Sequence, residues 1–139
     1  MEEIKAGDIM LNNWFQVNGF LMYIDAIYSD MVSLDFKGNE GGSWEEYTKD
    51  LVPIPLTEDI LLKCGAKRIE ENKVAIILNN PSTHLILMKI GTHWYPQIEQ
   101  VGEFISDGVN VVCLNFIDYV HQLQNLFKAL TQTDLKIEV

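Results

Sequence analysis

The sequence predicts an α+β protein, and three patterns carry that prediction. Its first 56 residues alternate short apolar or aromatic stretches with turn signals such as Asn18-Gly19, the pattern of strands joined by tight turns. Two segments, 57–65 and 119–131, carry helix start signals and helical periodicity. The stretch between them returns to strand-like alternation, clearest over 84–90.

Taken in order, residues 4–11 read as a lead-in and a strand, with Gly7-Asp8 just before the strand. Asn12-Asn13 and Asn18-Gly19 turn the chain. Residues 20–28 are rich in aromatic and β-branched side chains and suit a full strand. Ser29-Asp30 is a turn, and 31–36 set Val32, Leu34 and Phe36 on one face against Met31, Ser33 and Asp35. The segment 37–43 holds three glycines and reads as a loop, and 44–47 as a fourth strand. Pro53 and Pro55 lack backbone donors, so 52–56 cannot be a central strand. Short strands closing over a small core predict an SH3-like small β-barrel over 1–56, an analogy of fold that does not fix function.

The helix that follows starts at the N-cap residue Thr57, has Glu58 and Asp59 in its first turn, and stops at Gly65. Residues 67–70 and 73–78 flank Glu71-Asn72 as a hairpin. In 84–90, Leu85, Leu87 and Lys89 face away from Ile86, Met88 and Ile90. Residues 93–101 read as a strand broken by Pro96, Asp107-Gly108 as a hairpin turn, and 109–116 as an apolar strand. The last helix, 119–131, has Asp118 as its cap and buries Val120, Leu123, Leu126, Phe127 and Leu130. The alternating tail, 135–139, suits an edge strand. Residues 57–139 thus form a second unit of helix, antiparallel sheet and closing helix, packed with the first as one body.

At 139 residues and 47% apolar content the chain can bury a real core. It has no basic-apolar leader and no run near the 20 or so apolar residues that span a bilayer, which predicts a cytoplasmic protein with no membrane partner. The formal charge is −10, and residues 1–60 alone hold twelve acids against three bases. Phosphate binding needs Lys and Arg, so this charge argues against direct nucleic-acid binding. Cys64 and Cys113 lie in apolar stretches without a Cys-x-x-Cys pair, and read as buried reduced thiols.

No constellation of catalytic type emerges. His84 and His93 fall on neighbouring strands, but no third ligand sits at metal-binding spacing. The serines lie mostly at turns, the paired acids Glu45-Glu46 and Glu70-Glu71 are solvated, and the glycines of 38–42 precede no phosphate-binding helix. The reading is a non-enzyme with no cofactor and no metal. Two features point instead to binding. Aromatic residues crowd the first half, Trp14 and Trp44 among them, as in grooves for peptides or cationic side chains. The last helix carries His121, Gln124, Asn125 and Lys128 on one face, polar yet nearly uncharged. That face reads as a partner-docking surface or as an internal hydrogen-bond network.

Two segments also resemble a family. Residues 53–65 read PIPLTEDILLKCG and resemble a PIPLTEEWLLKFGF segment; residues 119–131 read YVHQLQNLFKALT and resemble a YVHQLQNLYFALTG segment. Both belong to a group of small uncharacterised proteins of Bacteroidetes genomes, often phage- or mobile-element-derived. Ile60 stands where the group often has Trp, Cys64 where it has Phe, and Gln132 where it has Gly. The last change predicts a weaker helix stop after Thr131. The resemblance implies an accessory protein and brings no activity. The expected function is therefore a binding or adaptor protein whose partner is another protein, contacted through His121, Gln124, Asn125, Lys128, Trp14 and Trp44. An acidic decoy for a basic site on a nucleic-acid-binding protein, and an enzyme with an unrecognised site, are the alternatives.

Overall fold

The computed structural model describes residues 3–38, 44–78, 82–101 and 109–138. It is α+β, with two five-stranded antiparallel sheets. The strands are β1 (Trp14–Val17), β2 (Phe20–Ile27), β3 (Met31–Asp35), β4 (Trp44–Tyr47), β5 (Val52–Pro53), β6 (Lys67–Glu70), β7 (Lys73–Ile77), β8 (Thr83–Ile90), β9 (His93–Val101) and β10 (Val109–Cys113), and the helices are α1 (Glu58–Lys63) and α2 (Val120–Thr131). The chain divides into two compact units, Met1–Pro55 with Tyr119–Ala129, and Leu56–Asp118 with Leu130–Val139. The chain passes from the first unit to the second between Pro55 and Leu56, and Tyr119–Ala129 of the last helix lie in the first.

The first unit is a curled half-barrel sheet in the order β4-β3-β2-β1-β5. Asn18 and Gly19 both take positive φ, at 50° and 83°, as the two-residue turn joining twisted strands requires. The inward rows Phe15, Val17, Met22, Ile24, Val32 and Leu34 form its core with Ile4, Ile9 and Leu51. A register shift between Ile24 and Ala26 leaves Asp25 at the surface. The expected strand within 4–11 is not one: Ala6–Asp8 form a 3-10 turn, with Asp8 N–H donating to the Lys5 carbonyl. A second 3-10 turn, Thr48–Asp50, leads from β4 into β5. Among the described residues β5 pairs only with β1, so its proline lies at a sheet edge as its missing donor demands.

In the second unit the sheet runs β10-β9-β8-β7-β6. The Thr57 hydroxyl accepts from Ile60 N–H and caps α1. Gly65, at φ 100°, lets Ala66 and Gly65 N–H reach the Leu61 and Leu62 carbonyls and close the helix. Leu61, Val74, Ile76, Leu85, Leu87 and Trp94 are buried in this unit.

Pro96 does not break β9. Its carbonyl accepts from Leu114 N–H, so its missing donor faces the same side, beyond the last β10 pair, Cys113 with Gln97. The pairing to β8 is untouched there. The strand expected over 109–116 stops at Cys113, and the chain then bridges from Ile117 to Trp94. The Asp107-Gly108 turn lies outside the described residues. The tail 134–138 forms no strand, although Leu135 is buried. Helix α2 starts at Val120, so Tyr119 rather than Asp118 stands at the cap position, and Gln122 Oε1 accepts its N–H.

Candidate functional site

The first unit holds a cleft of about 430 Å³. Three short elements meet there. The β2–β3 turn presents Ser29 and Asp30, the end of β4 presents Tyr47, and the following 3-10 turn presents Thr48 and Lys49. The lead-in Ile4, Lys5 and Ala6 completes the lining. Backbone bonds fix the walls: Thr48 N–H donates to the Asp30 carbonyl at 2.9 Å, and Tyr28 N–H donates to the Met31 carbonyl at 2.8 Å. Lys5 N–H donates to Asp8 Oδ2, which holds the lead-in.

Tyr47 is 47% exposed, and the Lys49 ammonium lies 5.9 Å from its ring centre. Thr48 is buried, and its hydroxyl has no hydrogen-bond partner among the described residues. The cleft thus offers two cations, one anion, hydroxyls and an aromatic face. From the sequence, Tyr47 reads only as part of the strand 44–47, and Ser29-Asp30 only as a turn. The two lysines lie 44 positions apart and carry no local pattern that joins them.

The residues singled out from the sequence do not form one site. Trp14 pairs across the sheet with Tyr23 and that in turn with Asp35, whereas Trp44 pairs with Leu34. Alternation along the strands therefore puts the two tryptophans on opposite faces. Trp14 packs against Tyr23 with ring centres 5.2 Å apart, and Trp44 is 41% exposed.

On α2, Gln124 and Asn125 direct their amides into hydrogen bonds within the first unit. Gln124 Oε1 accepts from Trp14 N–H at 2.9 Å, and its Nε2 donates to the Asn12 carbonyl at 2.8 Å. Asn125 Oδ1 accepts from Asn13 Nδ2, and its Nδ2 donates to the Asp8 carbonyl. Asn13 Oδ1 in turn accepts from Met10 N–H. These amides satisfy the irregular backbone that runs into β1, where Asn12 sits at φ 69°. His121 is buried between the rings of Phe15 and Tyr119, 4.8 and 5.9 Å away. Burial pushes its imidazole down to about 4, against the opposing pull of the Asp8 charge. Lys128 is half-buried.

One polar pair was missed. In the second unit, His93 Nδ1 lies 2.6 Å from Asp118 Oδ1, with the Phe116 ring tilted against the imidazole, centres 3.9 Å apart. The pair is partly exposed and pins the start of β9 to the residues before α2, beside the two backbone bonds between Trp94 and Ile117. It is the one hydrogen bond of the His93 side chain among the described residues. His84 pairs with Glu99 at the far end of the same two strands, about 20 Å from His93 at the rise of a strand, so the two histidines do not meet. No three His, Cys, Asp or Glu side chains cluster as a metal site among the described residues. Cys64 is half-buried and its thiol is pushed up to about 11 by burial, but Cys113 is exposed on edge strand β10 rather than buried. No helix is long and apolar enough to cross a membrane among the described residues.

No known family, curated protein or solved structure matches the chain.

Proposed function

We propose that this is a non-enzymatic binding or adaptor protein whose first unit is an SH3-like module that docks a protein partner at the cleft beside Tyr47. The cleft itself, bounded by Tyr47, Lys49 and Lys5, is the observation that carries the reading. The SH3-like assignment is supported by the strand order: four meandering strands, a 3-10 turn, and a fifth strand returning to the first. A cytoplasmic location and an origin in a phage or mobile element rest on the sequence alone, the latter on the resemblance of residues 53–65 and 119–131.

The test places a photo-cross-linking amino acid at Tyr47 and, in a second protein, at Leu62, which is exposed in the other unit. Irradiation in nuclease-treated lysate should give a discrete adduct from position 47 and none from position 62. Equal adducts from both positions, or adducts from 62 alone, would overturn the reading.

The decoy alternative has one feature in its favour. β4 ends its sheet and carries Glu45 and Glu46, an acidic strand on a unit with ten acids against four lysines. It requires binding to a basic protein that DNA displaces and high salt abolishes.

A further inference from the structure

We infer that the cleft selects a carboxylate carried on a short peptide segment. The carboxylate would lie at Lys5 and Lys49, and a neighbouring apolar side chain would lie against Tyr47. This rests on the reading of the cleft as a binding site and names the chemistry it accepts.

The unit has ten acidic residues and four lysines, so its surface repels anions in general. Two of those four lysines nevertheless stand at one cleft. An anion is therefore admitted there and discouraged elsewhere on the unit. Thr48 stands beside the two lysines in the lining. It is 5% exposed, it lines the cleft, and its hydroxyl is unpartnered among the described residues. An unsatisfied hydroxyl of this kind gains from an acceptor; its oxygen is itself enclosed, so a carboxylate oxygen reaches it only with a shift of the side chains that cover it. Asp30 also lines the cleft. Its charge penalises a second negative charge in the ligand, which favours a carboxylate over a phosphate dianion, and its oxygens can accept a peptide N–H. The cleft volume, about 430 Å³, is within the range of sites that enclose small ligands. A carboxylate can come from a chain terminus or from an Asp or Glu side chain, and the test separates them.

The experiment is a titration of the isotope-labelled full chain, followed by the backbone amide resonances of Ala6, Asp30, Tyr47, Thr48 and Lys49. The probes are acetyl-Gly-Gly-Phe as the free acid, the same peptide as its C-terminal amide, and acetyl-Gly-Asp-Phe amide. The free acid or the Asp peptide should move these resonances saturably, and the neutral amide should bind at least about tenfold more weakly. Saturable binding by the free acid alone assigns a chain terminus; binding by the Asp peptide assigns a side chain. Lys5→Gln and Lys49→Gln should each weaken the better probe about fivefold at unchanged melting temperature, since both residues are exposed. If the neutral amide binds as well as the acids, the carboxylate inference is overturned while the cleft remains a binding site. If no probe moves the cleft resonances, the inference is overturned, and the binding reading then stands or falls on the cross-linking result.

Discussion

Acid should weaken the fold through one histidine. His121 is 3% exposed, sits between two aromatic rings, and its Nδ1 has no hydrogen-bond partner among the described residues. Its folded-state value of about 4 lies below the ordinary 6.5. The folded state therefore resists the proton that the unfolded chain accepts below pH 6.5. Stability is fully present above that value, declines as the pH falls from 6.5 towards 4, and declines no further through this group once both states are protonated. The whole shift corresponds to about 3 kcal/mol, of which about 2 kcal/mol is lost by pH 5. The assay is urea unfolding at pH 7.5, 6, 5 and 4.5 for the natural protein and for His121→Phe, which keeps a ring between Phe15 and Tyr119 but cannot titrate. Every carboxylate and the other two histidines are common to both proteins, so the difference isolates His121. The natural protein should lose about 2 kcal/mol more than the variant between pH 7.5 and 5. Parallel loss in the two proteins would refute the reasoning.

The helix amides give a second expectation. Gln124→Ala leaves Trp14 N–H and the Asn12 carbonyl without their side-chain partner, and should cost about 2–4 kcal/mol in urea unfolding; a cost under 0.5 kcal/mol would return this face to a docking role. Gln132 follows α2 at φ 60°, a region where glycine is free of strain. Gln132→Gly should therefore raise stability by up to about 1 kcal/mol, read as a higher melting temperature. A thiol reagent at pH 8 should label Cys113 quickly and Cys64 slowly. With its value near 11, Cys64 is only about 0.1% thiolate at that pH, and equal labelling rates would contradict its burial.

Much of the fold was legible because local rules decided it. Asn18-Gly19, the Thr57 cap and the Gly65 stop each act within a few residues, and each formed as its chemistry requires. The misreadings came where long-range pairing decides. Pro96 looks like a strand breaker until the neighbour across its missing donor is known to end at Cys113. Gln132 lacks the glycine that favours a stop, yet the helix ends at Thr131, where the Thr131 hydroxyl accepts from Thr133 N–H. The uncharged helix face was a correct observation with two readings. Amides rather than charges suit a buried network, because each can both donate and accept without the cost of burying an ion. The cleft was not legible, since the turn, the lead-in and the 3-10 segment that build it meet only through the sheet order.

Charge substitution separates the two binding readings by sign, which salt alone does not do. Raising salt weakens both an acidic strand on a basic partner and a carboxylate at two lysines. Replacing Glu45 and Glu46 with Gln removes the feature the decoy needs, so a basic partner should bind more weakly. The same change should strengthen carboxylate binding at the cleft. Both side chains lie within two positions of Tyr47 on β4, and a unit charge roughly 10 Å away costs an anion about 0.4 kcal/mol in water. Removing both should therefore tighten the peptide acid by about twofold to fourfold at low salt. Lys5→Glu with Lys49→Glu makes the opposite experiment: cleft binding should disappear, and decoy binding should hold or improve. Tighter peptide binding after the Glu replacements and its loss after the Lys replacements would support the cleft. Peptide binding that weakens after the Glu replacements would mean the acids themselves contact the ligand, and the roles assigned to Lys5 and Lys49 would be wrong.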